Sequence, residues 1–327
     1  MKAIVSATYG SPDVLRLEEV ARPVPHDGEV LVRNHASVVT KALCAARAGN
    51  PFMARLHFGL TKPKWTILGT NYAGVVEAVG SSVTRLRVGD RVSGVNVTDF
   101  GAHAEYVCAR EDGVIVPTPA NLTDSEAVAA FDGSITALPF LREGARLQSG
   151  QTVLINGASG AVGIAAIQLA KHYGAIVTAV CSTAHLQLVK SVGADEVIDR
   201  TRDDFTRNLD SYDVIFDTVG TSSFGRSRRA LKSGGIYLTT VPTLPILLQM
   251  LWTSRVGRRK AAIVFTGLAK PAEMARNLAS VARLAESGEF IPVIDTVHPL
   301  EHAADAYRHV ETGHKSGSAV ITIGTAN

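Results

Sequence analysis

Two kinds of hydrophobic patterning divide the chain. Up to about residue 122 the apolar residues come in short runs, such as Glu29-Val-Leu-Val-Arg33, Gly74-Val-Val-Glu-Ala-Val79, Asp90-Arg-Val-Ser93 and Ala104-Glu-Tyr-Val-Cys108. Gly28, Gly80, Gly89 and Gly94 punctuate them, which predicts short strands in a small β-rich, barrel-like domain. Pro117 and Pro119 then mark a rigid connection before a helical pattern from about Asp124. From there the period alternates. Val153–Ile155, Ala175–Val180, Glu196–Asp199, Asp213–Asp217 and Gly235–Thr239 read as strands, with helical runs at Ile164–Lys171 and Leu186–Ser191. Strands alternating with helices predict βαβ units and a parallel sheet. Beyond it, Ala272–Glu286 and Glu301–Glu311 have helical spacing, Pro292–Asp295 is extended, and Ala319–Ile323 is a last strand placed to rejoin the first domain. The expected division is 1–124, 125–265 and a returning segment, 266–327.

Composition narrows this picture. A chain of 327 residues suits two domains, each with its own core. At 46% hydrophobic and 19% charged it reads as a soluble globular protein, and a net charge of +3 is too slight to argue for nucleic acid. The basic cluster Arg255, Arg258, Arg259 and Lys260 reads as a solvated face. Three scattered cysteines, Cys44, Cys108 and Cys181, fit a reducing compartment without disulfides. Met1-Lys-Ala-Ile-Val reads as a first strand and not as a leader. The longest apolar run, Leu244–Trp252, is broken by Pro245 and Gln249 and is too short to span a bilayer. A cytoplasmic protein is expected.

The strongest chemical signal is Thr152-Val-Leu-Ile-Asn-Gly-Ala-Ser-Gly-Ala-Val-Gly163. A strand, a tight turn of small residues and a helix start together form a cradle for a dinucleotide pyrophosphate. Ala158 stands where the first glycine of the usual pattern is expected, so the assignment leans on the surrounding βαβ units. The turn residues Ala158, Ser159, Gly160, Ala161, Val162 and Gly163 are the cofactor candidates. An NAD-preferring fold usually carries an acid at the end of its second strand. Here the strand ends in Val180-Cys-Ser-Thr183, and no Asp or Glu occurs between Ile164 and Ala194. Ser182, His185 and Arg200 are candidates for a 2′-phosphate, so NADPH is the expected cofactor.

With these segments the chain resembles the medium-chain dehydrogenase/reductase superfamily, in its zinc-free quinone oxidoreductase-like branch. The resemblance rests on Asp27–Arg33, Leu68-Gly-Thr-Asn-Tyr-Ala-Gly74, Val88–Val92, Ser134-Ile-Thr-Ala137, the Asn156–Gly163 turn, Val192–Asp199 and Phe216-Asp-Thr-Val-Gly220. It implies an α/β protein, with a GroES-like catalytic domain, a Rossmann doubly wound sheet, and the active site in the cleft between them. It also implies Thr136 near the nicotinamide, Val219 and Gly220 on the nucleotide, and an allowance for a homodimer. The short-chain dehydrogenases share the turn, but they also carry Tyr-x-x-x-Lys, and no tyrosine here has a lysine four residues on.

The positions that bind catalytic zinc in other members fall near Thr40, at Thr70 with Asn71 beside it, and near Asp132. Threonines there cannot replace a thiolate and an imidazole, and no metal is expected. Without a metal to stabilise an alkoxide, the easier chemistry is hydride delivery to an electron-poor acceptor, a quinone or an activated enone. Thr40 and Asn71 are candidates to hydrogen-bond a carbonyl oxygen or a water, and Tyr72 to donate a proton. Ala45 stands where some members carry a tyrosine, so water is a second proton source. Leu244, Leu247, Leu248 and Trp252 read as an apolar lid, an interface or core. Two alternatives stay open: a metal-free carbonyl or alcohol oxidoreductase, and a nucleotide-binding structural or sensor protein without turnover.

Overall fold

The computed structural model describes residues 1–50, 52 and 55–324, with backbone only at 57. The short runs of the first third form β1 (Lys2–Val5), β2 (Arg16–Glu19), β3 (Glu29–Val39), β4 (Asn71–Val79), β5 (Arg91–Val95), β6 (Tyr106–Arg110) and β7 (Ile115–Pro117). Helices α1 (Lys41–Ala48) and α2 (Arg55–Phe58) lie between β3 and β4, and α3 (Asp124–Pro139) follows the proline connection. The alternating part runs β8 (Thr152–Asn156), α4 (Ala161–His172), β9 (Ile176–Cys181), α5 (Leu186–Ser191) and β10 (Glu196–Asp199). It continues through β11 (Tyr212–Asp217), α6 (Phe224–Ser227), β12 (Leu231–Thr239), α7 (Leu244–Arg255) and β13 (Lys260–Ala262). Then come α8 (Pro271–Glu286), β14 (Ile294–Pro299), α9 (Ala303–Glu311) and β15 (Ser318–Thr322).

The chain forms two compact units. Unit 1 comprises Met1–Asp132, Ala269–Gly288 and Pro292–Asn327, and unit 2 comprises Gly133–Leu268 with Glu289–Ile291. The sequence places the first division at 124/125; the structure places it inside α3, after Asp132. The first turns of that helix are tied to unit 1. Asp124 pairs with His35 and Arg91, and Ser318 Oγ donates to Asp132 at 2.8 Å. The short segment Glu289–Ile291 joins unit 2 because Gln168 exchanges two hydrogen bonds with Ile291 and His172 pairs with Glu289.

Unit 2 holds a six-stranded sheet in the order β10-β9-β8-β11-β12-β13, parallel throughout. Parallel strands are covered on both faces; accordingly Val153, Leu154 and Ile155 of β8 are all fully buried. Strand order reverses between β8 and β11, and in such sheets ligands bind at the carboxyl ends of the strands beside that reversal.

Unit 1 holds an antiparallel-dominated sheet, β14-β15-β3-β4-β5-β7, with β6 also on β3. β3 carries three partners. β4 runs along one edge, while β6 takes Glu29–Arg33 and β15 takes Ala36–Val39 on the other. Val30, Val32, Tyr72, Val76, Val92 and Val107 form one core cluster. Val39, Leu43, Leu68, Tyr307, Val310 and Ile321 belong to a second, beneath α9.

Candidate functional site

In unit 2 the turn between β8 and α4 is pinned to the end of β9, because the amides of Gly157 and Ala158 both donate to Val180 O, at 3.1 and 3.0 Å. Ala158 is therefore buried, pointing into the fold, and Ser159 is half-buried. The glycines differ. A Cβ at Gly163 would lie 2.3 Å from Gly157 O, so the turn packs directly on the first turn of α4. A Cβ at Gly160 would meet only Gly157 O, at 3.7 Å. Gly160 is the N-cap of α4 and no side chain caps the helix. The amides at Ala161, Val162 and Gly163 thus start a helix with its positive dipole end free. Open space over an uncapped helix start fits a pyrophosphate.

Gly133, which sequence reasoning missed, brings α3 against this turn. A Cβ there would lie 2.0 Å from Ala161 O and 2.7 Å from Val162 N. Thr136 follows one turn later on the same side of α3 and is half-buried. The available signal was a glycine inside a helical run, which costs stability unless another backbone comes close.

Ser182, His185 and Arg200 are brought to one edge of the sheet. Arg200 N donates to Cys181 O at 2.9 Å and His185 N to Ser182 O at 3.0 Å. A carboxylate also arrives there from β10. Asp199 accepts from Thr183 Oγ1 at 2.5 Å, Thr201 N at 2.9 Å and Thr201 Oγ1 at 2.7 Å. The Thr183 and Thr201 donors hold its pKa below the usual carboxylate range. Its lone pairs are thus occupied within the strand ends.

A second missed residue lies after β11. Asp217 is fully buried. Its Oδ1 accepts from Asn156 Nδ2 (3.0 Å), Val219 N (3.2 Å) and Gly220 N (2.9 Å). Its Oδ2 accepts from Ser222 N and from Tyr237 Oη, both at 2.9 Å. One carboxylate therefore joins the end of β8, the loop presenting exposed Val219 and Gly220, and β12.

In unit 1, Ser37 pairs with Tyr72 across β3 and β4. This register sets Thr40 and the Thr70–Asn71 pair at the same end of the two strands. Thr40 caps α1, its Oγ1 accepting from Leu43 N at 3.1 Å. Asn71 is 3% exposed; its Oδ1 accepts from Thr70 Oγ1 at 2.9 Å, while its Nδ2 is buried without a partner. Successive residues of a strand face opposite ways, so Tyr72 leaves this group. Its phenol lies over Gly94 in the core with Val30 and Val76, and burial pushes its pKa well up. The structure assembles Thr40, Thr70 and Asn71, and places the expected proton donor Tyr72 in the core instead. Asp132, at the remaining ligand-like position, accepts from Ser318 Oγ and lies 3.8 Å from Lys315 Nζ. Among the described residues no three His, Cys, Asp or Glu side chains gather as metal ligands.

Comparisons with known proteins identify the family of the fold. Residues 26–120 match the alcohol dehydrogenase GroES-like domain family, and residues 192–321 match the zinc-binding dehydrogenase family. The chain belongs to the medium-chain dehydrogenase/reductase superfamily, in its zinc-free quinone oxidoreductase-like branch. It is 35% identical to the 2-methylene-furan-3-one reductase of Solanum lycopersicum, over 98% of this chain and 79% of that protein. It is 33% identical to the chloroplastic NADPH-dependent alkenal/one oxidoreductase of Arabidopsis thaliana, with the same coverage. It is 32% identical to the quinone oxidoreductase of Sus scrofa, over 95% of this chain and 94% of that one. Among solved structures, the quinone oxidoreductase from Coxiella burnetii superposes with a TM-score of 0.87 at 28% identity, covering 99% of both chains.

Proposed function

We propose that the chain is a zinc-independent, NADPH-dependent oxidoreductase that reduces quinones or activated enones. The observation that carries this reading is the buried, unpartnered Nδ2 of Asn71. An orphaned buried donor costs roughly 1–3 kcal/mol, and an acceptor oxygen that acquires charge during reduction would satisfy it. When bound, NADPH supplies the hydride. The uncapped start of α4 holds the pyrophosphate, and Ser182, His185 and Arg200 take the 2′-phosphate. Thr136, Val219 and Gly220 border the nucleotide.

Asn71 donates its amide hydrogen to the carbonyl oxygen of the acceptor, on which negative charge builds as hydride arrives. A donor fixed in advance stabilises that charge without reorganisation. The Thr40 oxygen already accepts from the helix, so its hydrogen remains for the same oxygen or for a water. With Tyr72 in the core and alanine at position 45, the final proton comes from water. A cytoplasmic setting belongs to this reading, supported by three free thiols. So does a homodimer, supported by β13 at the outer edge of its sheet.

The test is NADPH consumption with quinones, enones and aldehydes. Turnover of quinones or enones is expected, falling on the order of a hundredfold in kcat in Asn71→Ala. That variant removes an unsatisfied donor together with the acceptor of Thr70 Oγ1, so its melting temperature should change far less than its kcat. Turnover of aldehydes alone would make the chain a metal-free carbonyl reductase. No turnover with any acceptor would leave a nucleotide-binding protein without catalysis.

A further inference from the structure

We propose that Thr183 and Thr201 set the choice of cofactor by shutting away the Asp199 carboxylate, which would otherwise accept the ribose hydroxyls of NADH. The inference rests on the assignment of the 2′-phosphate to Ser182, His185 and Arg200. Strand β9 ends without an acid, but its neighbour brings one to the same level. β10 runs parallel to β9, with Asp199 in register with Cys181. In NAD-preferring folds an acid at this level of the sheet takes the ribose 2′-hydroxyl. Asp199 therefore stands one strand over from the usual place, a distance of about 4.8 Å. It also lies between the two loops of the phosphate site, because Thr183 follows Ser182 and Thr201 follows Arg200.

The carboxylate is closed by its own neighbours. Oδ1 takes both the amide and the hydroxyl of Thr201, and Oδ2 takes the hydroxyl of Thr183, with Arg202 Nε 3.7 Å away. A carboxylate offers about four lone-pair sites, so three are filled and the guanidinium stands beside the last. The two threonine Oγ1 atoms lie 3.1 Å apart, so the side chains close over the acid together. Both threonines are exposed, while Asp199 beneath them is only 9% exposed. The cover is thus two surface hydroxyls and not the core. It acts oppositely on the two nucleotides. The 2′-hydroxyl of NADH needs an acceptor and finds the lone pairs taken. The 2′-phosphate of NADPH would be repelled by a free carboxylate, but meets one whose charge is already bound by donors. Hydrogen bonds that merely braced the strand ends would serve both nucleotides equally.

The experiment measures dissociation constants of NADPH and NADH by calorimetry on the full chain. Three forms are compared: the wild type, Thr183→Ala with Thr201→Ala, and that pair combined with Asp199→Asn. In the double variant NADH is expected to bind about tenfold more tightly and NADPH about tenfold more weakly. Adding Asp199→Asn should cancel the gain for NADH, because the charged acceptor is gone. Should the double variant fail to fold, Thr183→Ala alone frees Oδ2 and should shift both constants in the same directions by a smaller factor. Equal weakening of both nucleotides, or no change in either, would reduce the threonines to a brace and overturn the proposal. So would a gain for NADH that survives Asp199→Asn. Equal affinities of the wild type for the two nucleotides would instead overturn the 2′-phosphate assignment. The closure of Asp199 would then still be read from NADH alone, tighter in the double variant and not in the triple.

Discussion

Gly160 and Gly163 have opposite roles that the sequence shows only as two glycines in one turn. Gly163 serves the fold: a methyl there meets Gly157 O at 2.3 Å, so Gly163→Ala should lower the melting temperature of unit 2. Gly160 faces open space, so Gly160→Val should leave circular dichroism near wild type. The same change should abolish NADPH binding by calorimetry, because the branched side chain would occupy the anion cradle. Normal NADPH affinity in that variant would move the pyrophosphate elsewhere. Arg200→Ala should weaken NADPH by about 1.5–3 kcal/mol while leaving NADH unchanged; equal loss for both nucleotides would separate Arg200 from the 2′-phosphate. The identities of Thr40, Thr70 and Asn71 were legible because their motif is local. The direction of Tyr72 was not, because strand alternation assigns a face only once the register with Ser37 and Gly94 is known.

Among whole elements, the alternating period marked five of the six strands of the parallel sheet and the helix Leu186–Ser191 directly, but not the three-residue edge strand β13, whose Lys260 reads as part of a solvated basic face. What it could not mark was how strand ends are tied together. Asp217 draws donors from β8, from its own loop and from β12, and no spacing in the chain announces that convergence. In Asp217→Asn an amide would replace one acceptor oxygen and face another donor. We expect a loss of about 1–3 kcal/mol in stability, together with weaker NADPH binding and an acceptor KM that changes less. An unchanged NADPH affinity beside a lowered melting temperature would make Asp217 purely structural.

His103, in the connection between β5 and β6, supplies a pH prediction for unit 1. It is fully buried, its Nε2 lies 3.2 Å from Val38 O, and its ring stands edge-on to Tyr307. Burial pushes its pKa down from 6.5 to about 4, the hydrogen bond to Val38 partly opposing the shift. The unfolded chain binds the proton more readily, so this stability is present above pH 6.5 and is lost as pH falls toward 4. The full effect is on the order of 3 kcal/mol. Melting curves between neutral pH and pH 4 should lose less in His103→Gln than in the wild type.

For the molecule as a whole, net charge conceals an uneven distribution. A balance of +3 reads as unremarkable surface, yet the acid-free stretch from 218 to 268 concentrates cations on one part of unit 2. Domain boundaries were likewise only partly legible. The segment Glu289–Ile291 belongs to unit 2 through Gln168, a contact no local signal reports.

The pairing of β15 with β3 has a consequence for how the protein is made. Val39 finds Ala319 only after most of the chain has been synthesised, whereas all of the sheet in unit 2 lies between residues 152 and 262. Emerging from the ribosome, the nucleotide sheet can close while the second half of β3 still waits for its last neighbour. Until Ser318–Thr322 arrives, that edge and the apolar residues Val39 and Leu43 have lost their cover, a state prone to strand-to-strand aggregation. A chain stopped after Ile291 would therefore be expected to retain NADPH binding and to precipitate through its N-terminal unit. Pulse-labelled nascent chains should show a nucleotide fold that matures well before the barrel it will serve.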